Sequence, residues 1–211
     1  MFFIFTHDMQ VLKDNSKKVI LEVARKEFLK IGFRHTSMRV IASKSEIGLS
    51  NIYNYFKNKD EILHVLVAPL LAAFEKIKEE HNEEKYLTID AFFSRDYHKE
   101  SVNMWLDLYK NFKEELFLVF HRSEGSKLAS FKENMIDDVT DMSLTYLAEM
   151  KARYPKLHVN ISDFFIRISI SWWSSALEKL VADEFSEEEV TQFLHEYVEY
   201  STAGWKSLMN V

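Results

Sequence analysis

The chain has 211 residues, of which 47% are hydrophobic, so it is long enough for a small domain joined to a larger one. It contains no cysteine, which excludes disulfides and thiolate metal sites, and its four glycines and two prolines are few for a β-rich fold. The net charge of −6 divides into +5 for residues 1–60 and −11 for residues 61–211. We therefore predict an all-α, soluble, cytoplasmic protein whose basic N-terminal part suits a polyanionic partner.

The first predicted element is an amphipathic helix over residues 16–31. Its apolar residues recur at helical spacing and form one stripe: Ile20, Ala24, Phe28 and Ile31. Gly32 ends the helix because glycine readily adopts the positive φ that a helix end requires. Phe33 then follows where its ring can fold back on Phe28.

Two very short helices with a tight turn between them are predicted next. Ser37 is expected to cap a helix over residues 38–45, and Ile47 is expected to plug the turn. The third helix opens at Gly48 or Leu49. Two short helices at a sharp angle are the arrangement that places one helix in a DNA groove.

The remaining elements are also helical. Asp60 is expected to cap a fourth helix that runs through Ile77. Ser186 and Glu189 have the spacing of a capping box, which marks the start of the last helix. Helices are predicted over residues 88–98, 101–121, 126–153, 161–182 and 187–209. We predict a helix-turn-helix domain over residues 14–60 and a helical domain over residues 61–211.

The third helix has the composition of a base-reading surface. Ile52 and Phe56 lie four residues apart and are expected to face the core, which leaves Ser, Asn and Tyr side chains facing outward. Asparagine can make paired hydrogen bonds to adenine, and tyrosine can reach a phosphate or a thymine methyl. The alternative is that Tyr53, Tyr55 and Phe56 are simply core aromatic residues, and for each of them taken alone this is the favoured interpretation.

These residues and their spacing resemble the N-terminal domain of TetR-family transcriptional repressors over residues 17–63. The similarity lies in Gly32-Phe33, in Ser37-Met38-Arg39, and in the ending Ile52-Tyr53-Asn54-Tyr55-Phe56-Lys57-Asn58-Lys59-Asp60-Glu61. The resemblance implies that Lys59 binds phosphate at the start of the fourth helix. The DNA-contacting residues that it implies are Ser37, Arg39, Ser50, Asn51, Tyr53, Asn54, Tyr55 and Lys59.

The sequence departs from the family at the turn. The family usually has Ala-Gly-Val-Ser there, whereas this chain has Ser45-Glu46-Ile47-Gly48. We still expect the turn to form, because Ile47 remains and glycine is acceptable as a helix cap. A serine hydroxyl that could contact phosphate at position 48 is absent.

For residues 61–211 the resemblance implies a ligand-binding and dimerisation domain. The last two helices carry apolar stripes with small residues that would permit close approach in a four-helix dimer interface. In two places the stripe could use either of two neighbours, Phe193 or Leu194 and Gly204 or Trp205. The predicted interface residues are Phe165, Ile168, Trp172, Ala176, Leu194, Tyr197, Ser201, Trp205 and Leu208. The alternative is that these stripes pack only within one subunit.

The middle of the chain is rich in aromatic residues and methionine. Such residues could line a pocket for a small apolar or aromatic effector that releases a palindromic operator. They could equally form an ordinary helical core. The predicted pocket residues are Trp105, Tyr109, Phe112, Phe120, Met142 and Tyr146.

Motifs for catalysis are missing from the sequence. It has no HExxH, no GxSxG, no GxGxxG and no P-loop, and none of its eight histidines lies four residues from another. We therefore expect no enzyme activity, no metal and no cofactor. Three hypotheses remain, namely a ligand-responsive repressor, a DNA-binding protein without a small ligand, and a helical interaction module. Met1 and Met9 are both candidate initiators.

Overall fold

The computed structural model describes residues 2–81 and 87–211, with side chains for residues 15–80, 87–90 and 93–211. All regular structure within these ranges is helical, which confirms the predicted fold class. The helices are α1 (Phe2–Ile31), α2 (Met38–Ser45), α3 (Leu49–Ile52), α4 (Lys59–His81), α5 (Arg95–Phe117), α6 (Phe131–Arg153), α7 (Asp163–Ala182) and α8 (Glu187–Met209). A 3₁₀ helix covers Ile89–Phe92, and a π-helical turn covers Leu118–Arg122. No helix among the described residues is both long and apolar enough to span a bilayer.

The chain divides into two compact units. The first, here called the head, comprises Met1–Pro69 together with Phe117–Ala129. The second, here called the body, comprises Leu70–Leu116 and Ser130–Val211. The predicted division at residues 60 and 61 did not include the second segment of the head, which is joined to the first by hydrogen bonds between residues distant in sequence.

The core of the head follows the predicted stripe of α1. Ile20, Ala24 and Phe28 are fully buried, and the rings of Phe28 and Phe33 lie 5.5 Å apart between centroids. Gly32 has a φ of +82°, as expected for the end of α1. Ile31 was predicted to share the buried stripe but is 38% exposed, because it is the last residue of the helix.

An ion pair between α1 and α2 was not predicted. Lys44 Nζ lies 2.5 Å from a carboxylate oxygen of Glu27, whose side chain is only 9% exposed. A buried carboxylate requires such a partner, because its removal from water is costly. The pair therefore fixes how α2 crosses α1.

Several helix boundaries differ from the prediction, and the largest difference is that α1 begins at Phe2 rather than at residue 16. Residues 88–98 form a 3₁₀ helix and the first turn of α5, and α6 begins at Phe131 rather than at residue 126. The cap of α4 is Asn58, whose Oδ1 accepts a hydrogen bond from the Glu61 N–H at 2.9 Å. Asp60 does not cap the helix, because its carboxylate accepts a hydrogen bond from the Lys127 N–H at 2.8 Å.

The body is built from α5 to α8 and the C-terminal part of α4. Lys132 of α6 forms an ion pair of 2.5 Å with Glu178 of α7. One buried cluster joins α6, α7, the connection between them and the end of α8, and consists of Leu147, Met150, Leu157, Ile166 and Met209. The predicted capping box is present at the start of α8, where Ser186 and Glu189 each accept a hydrogen bond from the other's backbone N–H.

Candidate nucleic-acid interface

Helix α2 presents its first turn to solvent. The Ser37 side chain caps the helix by accepting a hydrogen bond from the Val40 N–H at 3.2 Å, as predicted. Ile41 and Ala42 are buried, which turns the opposite face of α2 outward. Arg39 is exposed on that face, where its guanidinium is free to reach a guanine edge or a phosphate.

The turn between α2 and α3 forms without a glycine at its tightest point. Glu46 adopts φ 56° and ψ 24°, a left-handed conformation that glycine adopts more readily. The Ile47 N–H donates to the Ala42 carbonyl oxygen at 3.2 Å, and Gly48 precedes α3 as its cap residue. Backbone strain at Glu46 therefore takes the place of the glycine that the family usually has there.

Helix α3 is a single turn that continues as tighter turns as far as Phe56. The N–H groups of Asn54 and Tyr55 donate to carbonyl oxygens three residues earlier, at 3.0 and 2.9 Å. Ile52 and Phe56 are 0% and 1% exposed, so the segment is anchored in the core of the head at two points.

Four predicted contact residues lie together on the exposed side of this segment. They are Ser50, Asn51, Tyr53 and Asn54, and the side chain of Tyr53 is 51% exposed. Asn54 Nδ2 donates to Asn51 Oδ1 at 3.1 Å, so the two amides are neighbours on the surface. Tyr55 is only half-buried, which leaves part of its side chain accessible. The exposed side of this segment therefore carries amide and hydroxyl groups, which are the kinds of group that contact phosphates and base edges.

The two lysines after this segment have different surroundings. Lys57 is exposed. Lys59 directs its ammonium into the head, where Nζ donates to the carbonyl oxygens of Phe33 at 2.7 Å and Thr36 at 2.9 Å. The same nitrogen lies 4.1 Å from the centroid of the Phe33 ring. Burial lowers the pKa of Lys59, and the nearby Asp60 carboxylate partly offsets this effect. The resemblance implied that this ammonium binds phosphate, whereas here it donates to backbone carbonyl oxygens of the head.

The second segment of the head supports the connection between α1 and α2. The Phe33 N–H donates to the Arg122 carbonyl oxygen at 2.8 Å, and Arg34 forms an ion pair with Glu124. Gly125, with φ +81°, lies in the same stretch. The sequence signal available beforehand was the short polar run Ser123-Glu124-Gly125-Ser126, which indicates a turn but not its partner.

The predicted pocket residues are distributed over several places. The rings of Trp105 and Trp173 meet edge to face at 4.6 Å, whereas Tyr146 packs against the cluster of Leu147 and Met150. Phe120 belongs to the second segment of the head and the other five residues belong to the body. A pocket formed by all six residues therefore has no support from the packing within either unit.

Two local irregularities lie in α5 and α7. Helix α5 is kinked at Phe112, where φ is −133° and ψ is 22°. The hydroxyls of Tyr109 and Ser174 are buried, and neither has a hydrogen-bond partner among the residues described. Buried polar groups are almost always paired, so such hydroxyls commonly mark a place that a ligand or water completes.

Most predicted interface residues of α7 are exposed in the single subunit. The side chains of Phe165, Ile168 and Trp172 are 43%, 49% and 50% exposed, and Ala176 is half-buried. Phe164 at 73% is also exposed, and the prediction omitted it. A helix face with several large apolar side chains in water is an expected site of contact with another surface.

The predicted interface residues of α8 differ in how far their side chains are exposed. Leu208 is 37% exposed, while Ser201 and Trp205 are half-buried.

Tyr197 stacks on the buried Trp173 with centroids 4.2 Å apart, and burial raises the pKa of Tyr197 to about 12. Leu194 is only 2% exposed, so its side chain is buried within its own subunit. Tyr200, which the prediction omitted, is 71% exposed and lies 6.1 Å from Trp172 between ring centroids.

Comparison with known proteins identifies the N-terminal segment by sequence. Residues 20–66 match the family described as "Bacterial regulatory proteins, tetR family". An uncharacterised HTH-type transcriptional regulator of Bacillus subtilis (strain 168), YhgD, is 36% identical over 64 residues. That match covers 30% of this chain and about a third of the relative, 34% of its length.

Solved structures resemble the chain over most of its length. NalD of Pseudomonas aeruginosa, the secondary repressor of the MexAB-OprM multidrug efflux pump, is 17% identical with a TM-score of 0.60, and the match covers 89% of this chain and 95% of NalD. A transcriptional regulator of the TerR/AcrR family from Aquifex aeolicus VF5 is also 17% identical, with a TM-score of 0.56 and coverage of 88% and 98%. At these identities the likeness concerns the fold.

Proposed function

We propose that this chain is a DNA-binding transcriptional regulator that acts as a repressor, and the proposal is supported by the match of residues 20–66 to the tetR family of bacterial regulatory proteins. The observation that carries the proposal is the exposed group of Ser50, Asn51, Tyr53 and Asn54 on a turn anchored by buried side chains. Amide and hydroxyl side chains on a rigid short helix are the groups that read base edges in the major groove.

Within this interface the residues have different tasks. Asn51 and Asn54 read bases, because an amide can donate to and accept from adenine at the same time. Arg39 contacts a guanine or a phosphate from α2, and Lys57 contacts the phosphate backbone from its exposed position. Ser37, Tyr53 and Tyr55 contribute hydroxyls for phosphate contacts, which place the protein on the duplex without reading its sequence.

The protein acts as a homodimer through the exposed face of α7 and α8. The occupant of this face is a second copy of the chain, since the face carries Trp172 and Tyr200 in solvent and the fold is that of the regulators reported above. Gly204 would permit close approach of a second helix because it has no side chain, and its position is open in the single subunit, where an added methyl group would meet no atom within 4 Å. Two heads related by a two-fold axis would read a palindromic operator with half-sites ~34–36 Å apart or a multiple of this distance.

A small apolar or aromatic effector releases the operator. The support for this step is the kink at Phe112, the aromatic contact of Trp105 with Trp173, and the buried hydroxyl of Tyr109, which has no hydrogen-bond partner among the described residues. The effector therefore carries a flat apolar part and one polar group that pairs with the Tyr109 hydroxyl. It acts by favouring a dimer whose heads have the wrong spacing for the operator.

The proposal is tested by selecting duplexes from random-sequence DNA with the purified chain and then measuring affinity over a series of salt concentrations. We expect Asn51→Ala to weaken the selected duplex by about 1–3 kcal/mol and to leave a random duplex unchanged, because the lost contact is to a base. Lys57→Ala should weaken both duplexes alike and lower the salt slope by about 0.9, because one phosphate contact is lost.

Matched controls lie on the exposed surface of α5. Asn111→Ala removes an amide and Lys99→Ala removes an ammonium, as the two test variants do, but at exposed positions of α5. We expect neither control to change DNA affinity. A wild-type chain that binds no duplex with a salt-dependent affinity would refute the proposed function.

A further inference from the structure

The ammonium of Lys59 is enclosed by three acceptors within the head. Two are the carbonyl oxygens of Phe33 and Thr36, at 2.7 and 2.9 Å, and the third is the face of the Phe33 ring, at 4.1 Å from its centroid. An ammonium has three N–H donors, so two of them are used by the protein's own backbone. A cation over an aromatic face gains further stabilisation once it has lost part of its water.

The two carbonyl groups belong to the connection that precedes α2. In this connection the Thr36 hydroxyl donates to the Gly32 carbonyl oxygen at 2.9 Å, and the Thr36 N–H donates to that of Phe33 at 3.2 Å. Thr36 and Phe33 are 2% and 1% exposed, so the carbonyl groups lie on a buried strip of chain. The next residue, Ser37, caps α2. The position of Thr36 therefore sets where α2 begins and where Arg39 points.

Lys59 itself follows, in the sequence, the segment Leu49–Phe56. It is the first residue of α4 and follows Phe56 by three positions. Phe56 is the second of the two buried anchors of that segment. One side chain thus joins the chain before α2 to the chain after α3, and these are the two ends of the helix-turn-helix.

We propose that Lys59 is a positioning residue that fixes the orientation of α2 relative to α3, and that it does not act as a phosphate ligand. The inference rests on the proposed DNA-binding function and assigns a different role to one of its residues. Lys57, two positions earlier and exposed, is the matched comparison, because it has the same charge without the enclosure.

The test compares Lys59→Met with Lys57→Met in the full-length protein. Affinity is measured over a salt series for a duplex selected by the wild-type chain and for a random duplex of equal length, at a temperature where circular dichroism shows each variant folded. For Lys57→Met we expect the salt slope to fall by about 0.9 and both duplexes to be weakened alike. For Lys59→Met we expect an unchanged slope and a preference for the selected duplex that falls about tenfold, because misplaced base contacts lose discrimination.

Lys59→Arg is a second test variant, and it keeps the positive charge. Arginine would preserve a phosphate contact, but its planar guanidinium does not reproduce the geometry of an ammonium between two carbonyl oxygens. We therefore expect Lys59→Arg to lose preference for the selected duplex as well, and it serves alone if Lys59→Met fails to fold.

Two results would overturn the inference. One is a slope reduced by about 0.9 in Lys59→Met with the preference unchanged, which identifies a phosphate ligand. The other is a lower melting temperature in both Lys59 variants with slope and preference unchanged, which identifies a residue that serves stability alone. A wild-type chain that binds no duplex would instead refute the proposed function itself, so the two failures are distinguishable.

Discussion

Replacement of Gly204 by leucine should have opposite effects on the subunit and on the dimer. Gly204 lies exposed within α8, and a methyl group added there meets no atom within 4 Å. Leucine is a better helix former than glycine by about 0.8 kcal/mol, so the isolated helix should gain stability. If α8 packs closely against α8 of a second copy, the same leucine overfills that contact and destabilises the dimer.

The size of the effect on dimerisation follows from the number of copies. Overpacking of a close contact costs about 1–3 kcal/mol per site, and a two-fold interface contains the substitution twice. The loss of about 2–6 kcal/mol weakens the dimer by about 30-fold or more, since 1.4 kcal/mol corresponds to a factor of ten. Sedimentation over a dilution series measures this change, and circular dichroism measures the helix content of the same samples.

Ala203→Leu is the matched control for this experiment. It adds a similar side chain to the neighbouring exposed position, about 100° around the helix and away from Tyr197 and Leu208. We expect Ala203→Leu to leave the dimer intact. Equal dissociation constants for the Gly204→Leu variant and the wild-type chain would show that α8 does not pack against a second copy at this position.

Two further predictions concern stability. Glu46→Gly should raise the melting temperature by about 2–4 °C, because it relieves about 1 kcal/mol of left-handed strain, whereas Glu46→Gln should not, and equal melting temperatures for all three proteins would contradict the strain argument. Burial raises the pKa of Tyr197 from 10.0 to about 12, so this residue's contribution to stability is present below pH 10 and is lost as the pH rises towards 12. Tyr197→Phe should therefore lose less melting temperature than the wild-type chain between pH 10 and 12, and parallel curves would contradict the assignment.

The elements that could be predicted best are those whose ends depend on neighbouring residues. Helix α2 was predicted over residues 38–45 and is observed at Met38–Ser45, because its cap is the adjacent Ser37. Helix α8 was predicted over residues 187–209 and is observed at Glu187–Met209, because the capping box at Ser186 is encoded within four residues. Local hydrogen bonds of this kind can be read from sequence.

The elements that were missed depend on distant partners. Asp60 has the composition of a cap, but its carboxylate bonds to the Lys127 N–H, 67 residues away. Residues 126–130 were assigned to α6, yet they form turns, in which the Ser126 N–H donates to the Ser123 carbonyl oxygen at 2.9 Å and the Ala129 N–H donates to the Ser126 carbonyl oxygen at 3.2 Å. Periodicity does not contain this information, because the same polar residues suit a helix surface and a turn.

The candidate interface also contains one feature that could be predicted from neighbouring residues and one that depends on distant partners. Exposure of Asn51 and Asn54 could be predicted from the burial of Ile52 and Phe56, since helical spacing alone separates the two faces. The environment of Lys59 could not be predicted, because its acceptors are backbone carbonyl oxygens 23 and 26 residues earlier, and a carbonyl group has no signature in the sequence.

The connection between α1 and α2 links these observations. The backbone of Phe33 accepts a hydrogen bond from Lys59 and donates one to Arg122, which lies outside the matched residues 20–66. The residue after Phe33, Arg34, pairs with Glu124 from the same distant stretch. The strip of chain that sets the start of α2 is therefore held from two sides, and only one of them belongs to the helix-turn-helix motif. Under the proposed function the motif would supply the side chains that face a duplex, but the chain that precedes α2 is also held by a second segment, residues 117–129, that no pattern of the motif contains.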